Sequence, residues 1–195
     1  MKIRIGLVVA LIYFGSSASV RAAFEITPAV QSELDKMKNM VSDWAMGAVV
    51  VKAVKDQNNK GPIPDMDNAK WKTIRRTDDV VKEFQSNPAG QYLKGKVASS
   101  NGAFTEAFLS ASRGEKVAFV EKTTSYIHRG QPKFDVPYGS SKAWQGSPEF
   151  DESAQTYQIQ ISVPVLDGRK AIGALVVGVN LTHVAGSFRS QWRRQ

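Results

Sequence analysis

The chain has 195 residues, is 42% apolar and 23% charged, and carries 26 Lys and Arg against 18 Asp and Glu, a formal charge of +8. That length suffices for one domain with a proper core. The absence of cysteine excludes disulfides, thiolate catalysis, Cys-ligated zinc and covalent c-type haem. The basic residues are spread along the chain, apart from Arg189, Arg193 and Arg194 around Trp192, and no recognition motif accompanies them, so no nucleic-acid partner is expected.

The N-terminus reads as an export signal. Lys2 and Arg4 form a positive n-region, Ile5 to Gly15 an apolar h-region, and Val20-Arg21-Ala22 presents small residues at −3 and −1. The apolar run is shorter than the roughly 20 residues of a spanning helix. Cleavage is expected after Ala22, with Ala23 as second choice, leaving a soluble periplasmic or secreted domain over 23–195. Its charge falls to +5, because Lys2, Arg4 and Arg21 leave with the signal.

A long helix follows, with Thr27 as N-cap and Pro28 at the first helical position. Val30, Leu34, Met37, Val41, Trp44, Ala48 and Val51 recur at alternating spacings of four and three, the stripe of a helix burying one side. The pattern fades near Asn58 and stops at Gly61-Pro62, which predicts a rod of about 45 Å. The stripe suits packing on a sheet, with the flank open to a homodimer.

Between 65 and 100 the reading is short helices and loops, including one begun by Thr77 and another by Pro88. The character then turns to β. AFTEAFLS and KVAFVEKTT flank a turn at Ser112-Arg113-Gly114, a hairpin signal. Residues 126–147 have loop composition. TYQIQISVPV places Tyr157, Ile159, Ile161 and Val163 on one face and Gln158, Gln160 and Ser162 on the other. Asp167-Gly168 is a tight-turn signal before AIGALVVGVN, a strand apolar on both faces and so central in its sheet. The sum is an α+β domain: helices against one face of a sheet of about five antiparallel strands.

Four stretches carry a resemblance: AVVVKAVKDQNNKGP with the Asp67-to-Trp71 spacing after it, the hairpin from Ala103 to Tyr126, Trp144, and the run from Ser147 to Leu181. They resemble the single-Cache sensor domains of bacteria, the PAS-like extracytoplasmic sensors. The resemblance implies a long N-terminal helix packed on a five- to six-stranded antiparallel PAS-like sheet, with a small-molecule ligand on the other face under loops and short helices. It implies Trp144 in the pocket-covering loop. Ser110 to Arg113 and Tyr126 stand where many relatives carry acidic residues, so ligand identity is not carried over. Relatives are followed by a membrane helix and a transmitter. None is read after the last strand here, so signalling through a partner, a membrane receptor or another periplasmic protein, is expected.

Catalysis finds little support. His128 and His183 are the only histidines, which leaves few members for a metal site or a Ser-His-Asp triad, and no GxSxG, HExxH or phosphate-cradling loop occurs. Asp151 and Glu152 read as turn residues. No catalytic residue, metal or cofactor is expected. Small-ligand pockets are apolar and aromatic with a few placed polar groups. The segment 126–145 offers Tyr126, His128, Lys133, Tyr138 and Trp144, and the strand beyond offers Gln158 and Gln160. Either these residues line a ligand pocket or the aromatics form a small core and the glutamines are solvated. The competing functional classes are a secreted enzyme of unrecognised type and a ligand-free structural module.

Overall fold

The computed structural model describes residues 24–152 and 155–192, with side chains as far as 186. The export signal, Arg193 and Arg194 lie outside the described residues, as do the side chains of Arg189 and Trp192.

Helix α1 (Pro28–Ala45) begins as its sequence directs: Thr27 Oγ1 accepts from the Val30 N–H at 3.4 Å, and Pro28 occupies the first turn. It buries Val30, Leu34, Met37, Val41, Trp44 and Ala45. The single long rod is not formed. The chain breaks at Met46-Gly47 and restarts as α2 (Ala48–Lys60), which buries Val50 and Val54. A Cβ on Gly47 would meet Trp44 O at 3.1 Å and Tyr92 Oη at 3.2 Å, so a side chain there would crowd the bend. The break shifts the helical phase, which puts Val50 inside instead of the expected Val51, now half-buried.

Three short helices follow. In α3 (Asn68–Thr73), capped by Asp67 Oδ1 on the Lys70 N–H at 2.7 Å, Trp71 is buried. Helix α4 (Asp79–Ser86) starts one residue later than predicted, with Asp78 in place of Thr77 at the cap. Helix α5 (Pro88–Ala98) is capped by Asn87. The hairpin β1 (Phe104–Ala111) and β2 (Lys116–Phe119) forms as read. The segment expected to be loop holds α6 (Pro132–Ser140), β3 (Trp144–Gln145) and, just beyond, β4 (Glu149–Asp151). Its Pro, Gly and Ser content hides a helix of nine residues that has Pro132 at its start. The long hairpin β5 (Thr156–Asp167) and β6 (Lys170–Asn180) closes on Gly168 and leads into α7 (Leu181–Trp192).

The six-stranded antiparallel sheet runs β2-β1-β6-β5-β3, with β4 also paired to β5. As its two apolar faces require, β6 is central. Leu175, Val177 and Val179 join Ile159, Ile161 and Val163 against α1, α2 and α5. On the opposite face Val176, Phe108, Phe119 and Tyr126 pack with Trp71 and Phe84. Both faces are therefore covered: the second is closed by short helices, as expected for α3 and α4, and by α6, which forms inside the segment read as loop.

Candidate functional site

On β5 the apolar residues face the long helices, so the alternate set, Gln158, Gln160 and Ser162, faces away. There a cleft of about 420 Å³ lies between β1, β5 and the β3–β4 segment. Gln158, Gln160 and Glu106 form its floor, and Trp144, Glu149 and Asp151 its rim.

The floor is held by side-chain hydrogen bonds. Lys133 Nζ donates to Gln160 Oε1 at 3.1 Å, and Gln160 Nε2 donates to Glu106 Oε1 at 2.6 Å. This chain from α6 to β1 crosses β6 above Gly178. A Cβ there would stand 2.7 Å from Glu106 Cγ and 2.6 Å from Thr105 Oγ1, so a larger residue would push Glu106 off the floor. Beside it, Thr105 Oγ1 donates to Gln158 Oε1 at 2.9 Å and Gln158 Nε2 to Asp151 Oδ2 at 2.7 Å. Each glutamine is thereby oriented and neither is merely solvated. Trp144 pairs with Ser162 across β3 and β5, and Gln145 is tied to Gln31 of α1 at 3.1 Å.

The predicted residues separate into two groups. Trp144, Gln158 and Gln160 line the cleft, and Lys133 reaches its floor. The other three do not line it. Tyr126 is fully buried in the aromatic cluster with Trp71, Phe84 and Phe119, and its Oη accepts from the Ile63 N–H at 2.9 Å. Tyr138 stacks on Phe134 at 5.2 Å, with the Arg129 guanidinium 5.2 Å from its ring. His128 is buried beneath α6, its ring stacked on Phe108 at 4.7 Å. Its Nδ1 pairs with Gln131 Oε1 at 3.0 Å, and with that oxygen accepting, the proton sits on Nδ1. Burial is the main cause that lowers the His128 pKa to about 3, and the nearby Lys116 amine adds to it.

Sequence reasoning missed Glu106, Glu149 and Asp151. Glu106 shares the parity of Phe108 and Ser110, a signal blurred by the bulge near the start of β1. Asp151, read as a turn residue, belongs to β4 and accepts from Gln158. Lys116 was also missed: it is fully buried, its Nζ lying 3.2 Å from the Phe108 ring centroid. Among the described residues no group of three or more His, Asp or Glu is placed to hold a metal ion, and no helix is long and apolar enough to cross a membrane.

No family model and no curated protein matches the chain. Solved structures do. The sensor domain of the Vibrio cholerae histidine kinase DctB superposes with a TM-score of 0.51 at 16% identity, over 80% of this chain and 52% of that one. The chain shares its fold with that domain. Two further matches have lower TM-scores. The ligand-binding domain of the Pseudomonas fluorescens chemoreceptor CtaA, solved with L-leucine, gives 0.48 at 14% identity, covering 80% of this chain and 53% of that one. The corresponding domain of the Pseudomonas aeruginosa chemoreceptor PctC, solved with GABA, gives 0.46 at 14% identity, covering 80% and 57%. The chain spans about half the length of these sensor domains.

Proposed function

We propose that this chain is an exported sensor domain that binds a small molecule in the cleft floored by Gln158 and Gln160, and passes the signal to a partner protein by contact. The observation that carries the reading is the pair of glutamines held by Glu106, Lys133, Thr105 and Asp151 at the base of a 420 Å³ cleft. A polar floor fixed before binding, with an aromatic rim, is the build of a small-ligand site. The sensor fold shared with the DctB domain supports the same reading, and the solved neighbours are sensor domains rather than enzymes. Ligand binding would fix the β3–β4 rim, already paired to β5, against the glutamine floor. Because Gln145 of β3 is bonded to Gln31, that ordering would be felt by α1, which exposes Met40 on its flank and is followed by exposed Met46 at its C-cap, both open to a second copy or a membrane receptor.

A thermal-shift screen over amino acids, carboxylates and amines tests the proposal, since a ligand of the native state raises the melting temperature. A hit should also change Trp144 fluorescence and be lost in Gln160→Ala. No shift across the panel, or shifts indifferent to Gln160→Ala, would overturn the cleft as the binding site.

A further inference from the structure

On the side of the sheet covered by the long helices, away from the cleft, a groove of about 500 Å³ runs between α1 and the segment joining α5 to β1. Met37, Met40 and Trp44 of α1 and Phe104 of β1 give it an apolar bed. Trp44 meets Phe104 edge-on at 4.8 Å. Met37, Trp44 and Phe104 are buried and show only their edges, whereas Met40 is exposed. Lys96 of α5, half-buried, stands over this bed, its Nζ 5.2 Å from the Tyr92 ring centroid and 5.9 Å from that of Trp44. The faces of the two rings attract the ammonium and hold it above the groove.

The charged side chains that line the groove are Glu33, Lys36 and Lys96. Glu33 is taken by Lys36 at 3.0 Å. Asp43 of α1 is not part of the lining, and among the described residues no carboxylate pairs with Lys96. The groove thus joins an apolar bed to one positive charge without a counter-charge. A protein partner would need about 800 Å² a side. The large apolar residues exposed among the described residues are Met40, Met46 and Val136, and only Met40 borders the groove. Its apolar surface is recessed, which suits a narrow guest, and Met37 and Met40 are unbranched chains that re-pack around a flexible one. We propose that this groove binds a free medium-chain fatty acid, its carboxylate on Lys96 and its chain along Met37, Met40, Trp44 and Phe104. The charge match selects a monoanionic head, and the bed selects an alkyl tail over a small polar molecule. The inference does not depend on what the cleft binds.

Titration calorimetry of the full chain with sodium decanoate, below its micelle concentration, should show saturable binding of one molecule per chain. Octanoate should bind more weakly, by about threefold for each methylene removed. Decanol and decyltrimethylammonium keep the tail but remove or reverse the charge, and each should bind about tenfold more weakly than decanoate. Lys96→Met should cost decanoate about tenfold and leave decanol unchanged, and Lys96→Arg should keep the preference for the anion. Met40→Glu puts a negative charge at the exposed end of the bed, a position that tolerates it, and should abolish decanoate binding with the melting temperature unchanged. Binding of several molecules per chain, indifference to the head-group charge, persistence in both Lys96→Met and Met40→Glu, or equal binding to vesicles of anionic phospholipid would overturn the proposal. So would a stable dimer whose contact shuts decanoate out. Gln160→Ala should bind decanoate as wild type does, which separates this site from the cleft; loss there would place decanoate in the cleft and overturn the groove.

Discussion

His128 shows how burial sets the chemistry of a single side chain here. A free imidazole has a pKa near 6.5, and the folded protein holds that of His128 at about 3. The group is therefore neutral when folded and protonates more easily when unfolded, so the stability it contributes is complete above pH 6.5. It declines as pH falls through the window down to 3, by up to about 1.4 kcal/mol per pH unit. His128→Phe keeps a ring on Phe108 and removes the titration. In urea unfolding, the variant should lose less stability than wild type between pH 7 and pH 5. Parallel losses would show that His128 does not carry the linkage. Lys116 works in the same sense at higher pH: a neutral buried amine favours the unfolded state wherever the unfolded amine is charged.

At the level of elements, segments without regular structure are positioned by individual polar side chains. Asn68, at the start of α3, is the strongest instance. Its Oδ1 accepts from the Tyr126 and Ile127 N–H groups, each at 2.8 Å, and its Nδ2 donates to the Ile127 carbonyl at 2.9 Å. One side chain thus satisfies three backbone groups of the strand-like segment that leads to His128 and α6. Asn68→Ala should cost roughly 2–4 kcal/mol in denaturant unfolding, as three part-buried groups lose their partner. Asn68→Asp, which keeps an acceptor for both N–H groups, should cost less. Equal and small effects would mean that water replaces the side chain. Asn58 performs a similar task at the other end, donating to the Ile172 carbonyl and accepting from the Ser112 N–H, which ties α2 to both hairpins. Such contacts join residues more than fifty positions apart, so no local pattern announces them. The strands of the sheet and the turn at Gly168 were legible because alternation and turn chemistry are local. The α1–α2 break was not, because Gly47 yields to Trp44 and to Tyr92 of a helix far along the chain.

For the whole molecule, the central fact is a sheet covered on both sides by different means. Long amphipathic helices seal one face with aliphatic residues, and short helices seal the other with aromatics and an open cleft. The apolar, well-filled side supplies most of the burial, which leaves the second side free to hold polar groups such as Gln158, Gln160 and Lys116. An exported sensor domain should reach its compartment with its signal removed. Mass spectrometry of the protein recovered from the periplasm or medium should find Ala23 as the first residue. Retention of Met1 at the membrane would instead show that the apolar run stays as an anchor.

By itself the sequence determined the strand pairing order of the hairpins, the central place of β6, the inward face of β5 and the outward direction of its two glutamines. All of these follow from periodicity and turn residues within a few positions. It placed Trp144, Gln158 and Gln160 among the candidates, and these do share one cleft. Only the tertiary structure decided that Tyr126 is core, that Tyr138 stands apart, and that Glu106, Asp151 and Lys133 hold the glutamines. The same holds for Lys116, an ordinary charged residue in the chain and an unpartnered buried amine in the fold. The physical reason is range: alternation and capping act over a few residues, whereas burial and hydrogen-bond satisfaction depend on which distant elements close over a side chain.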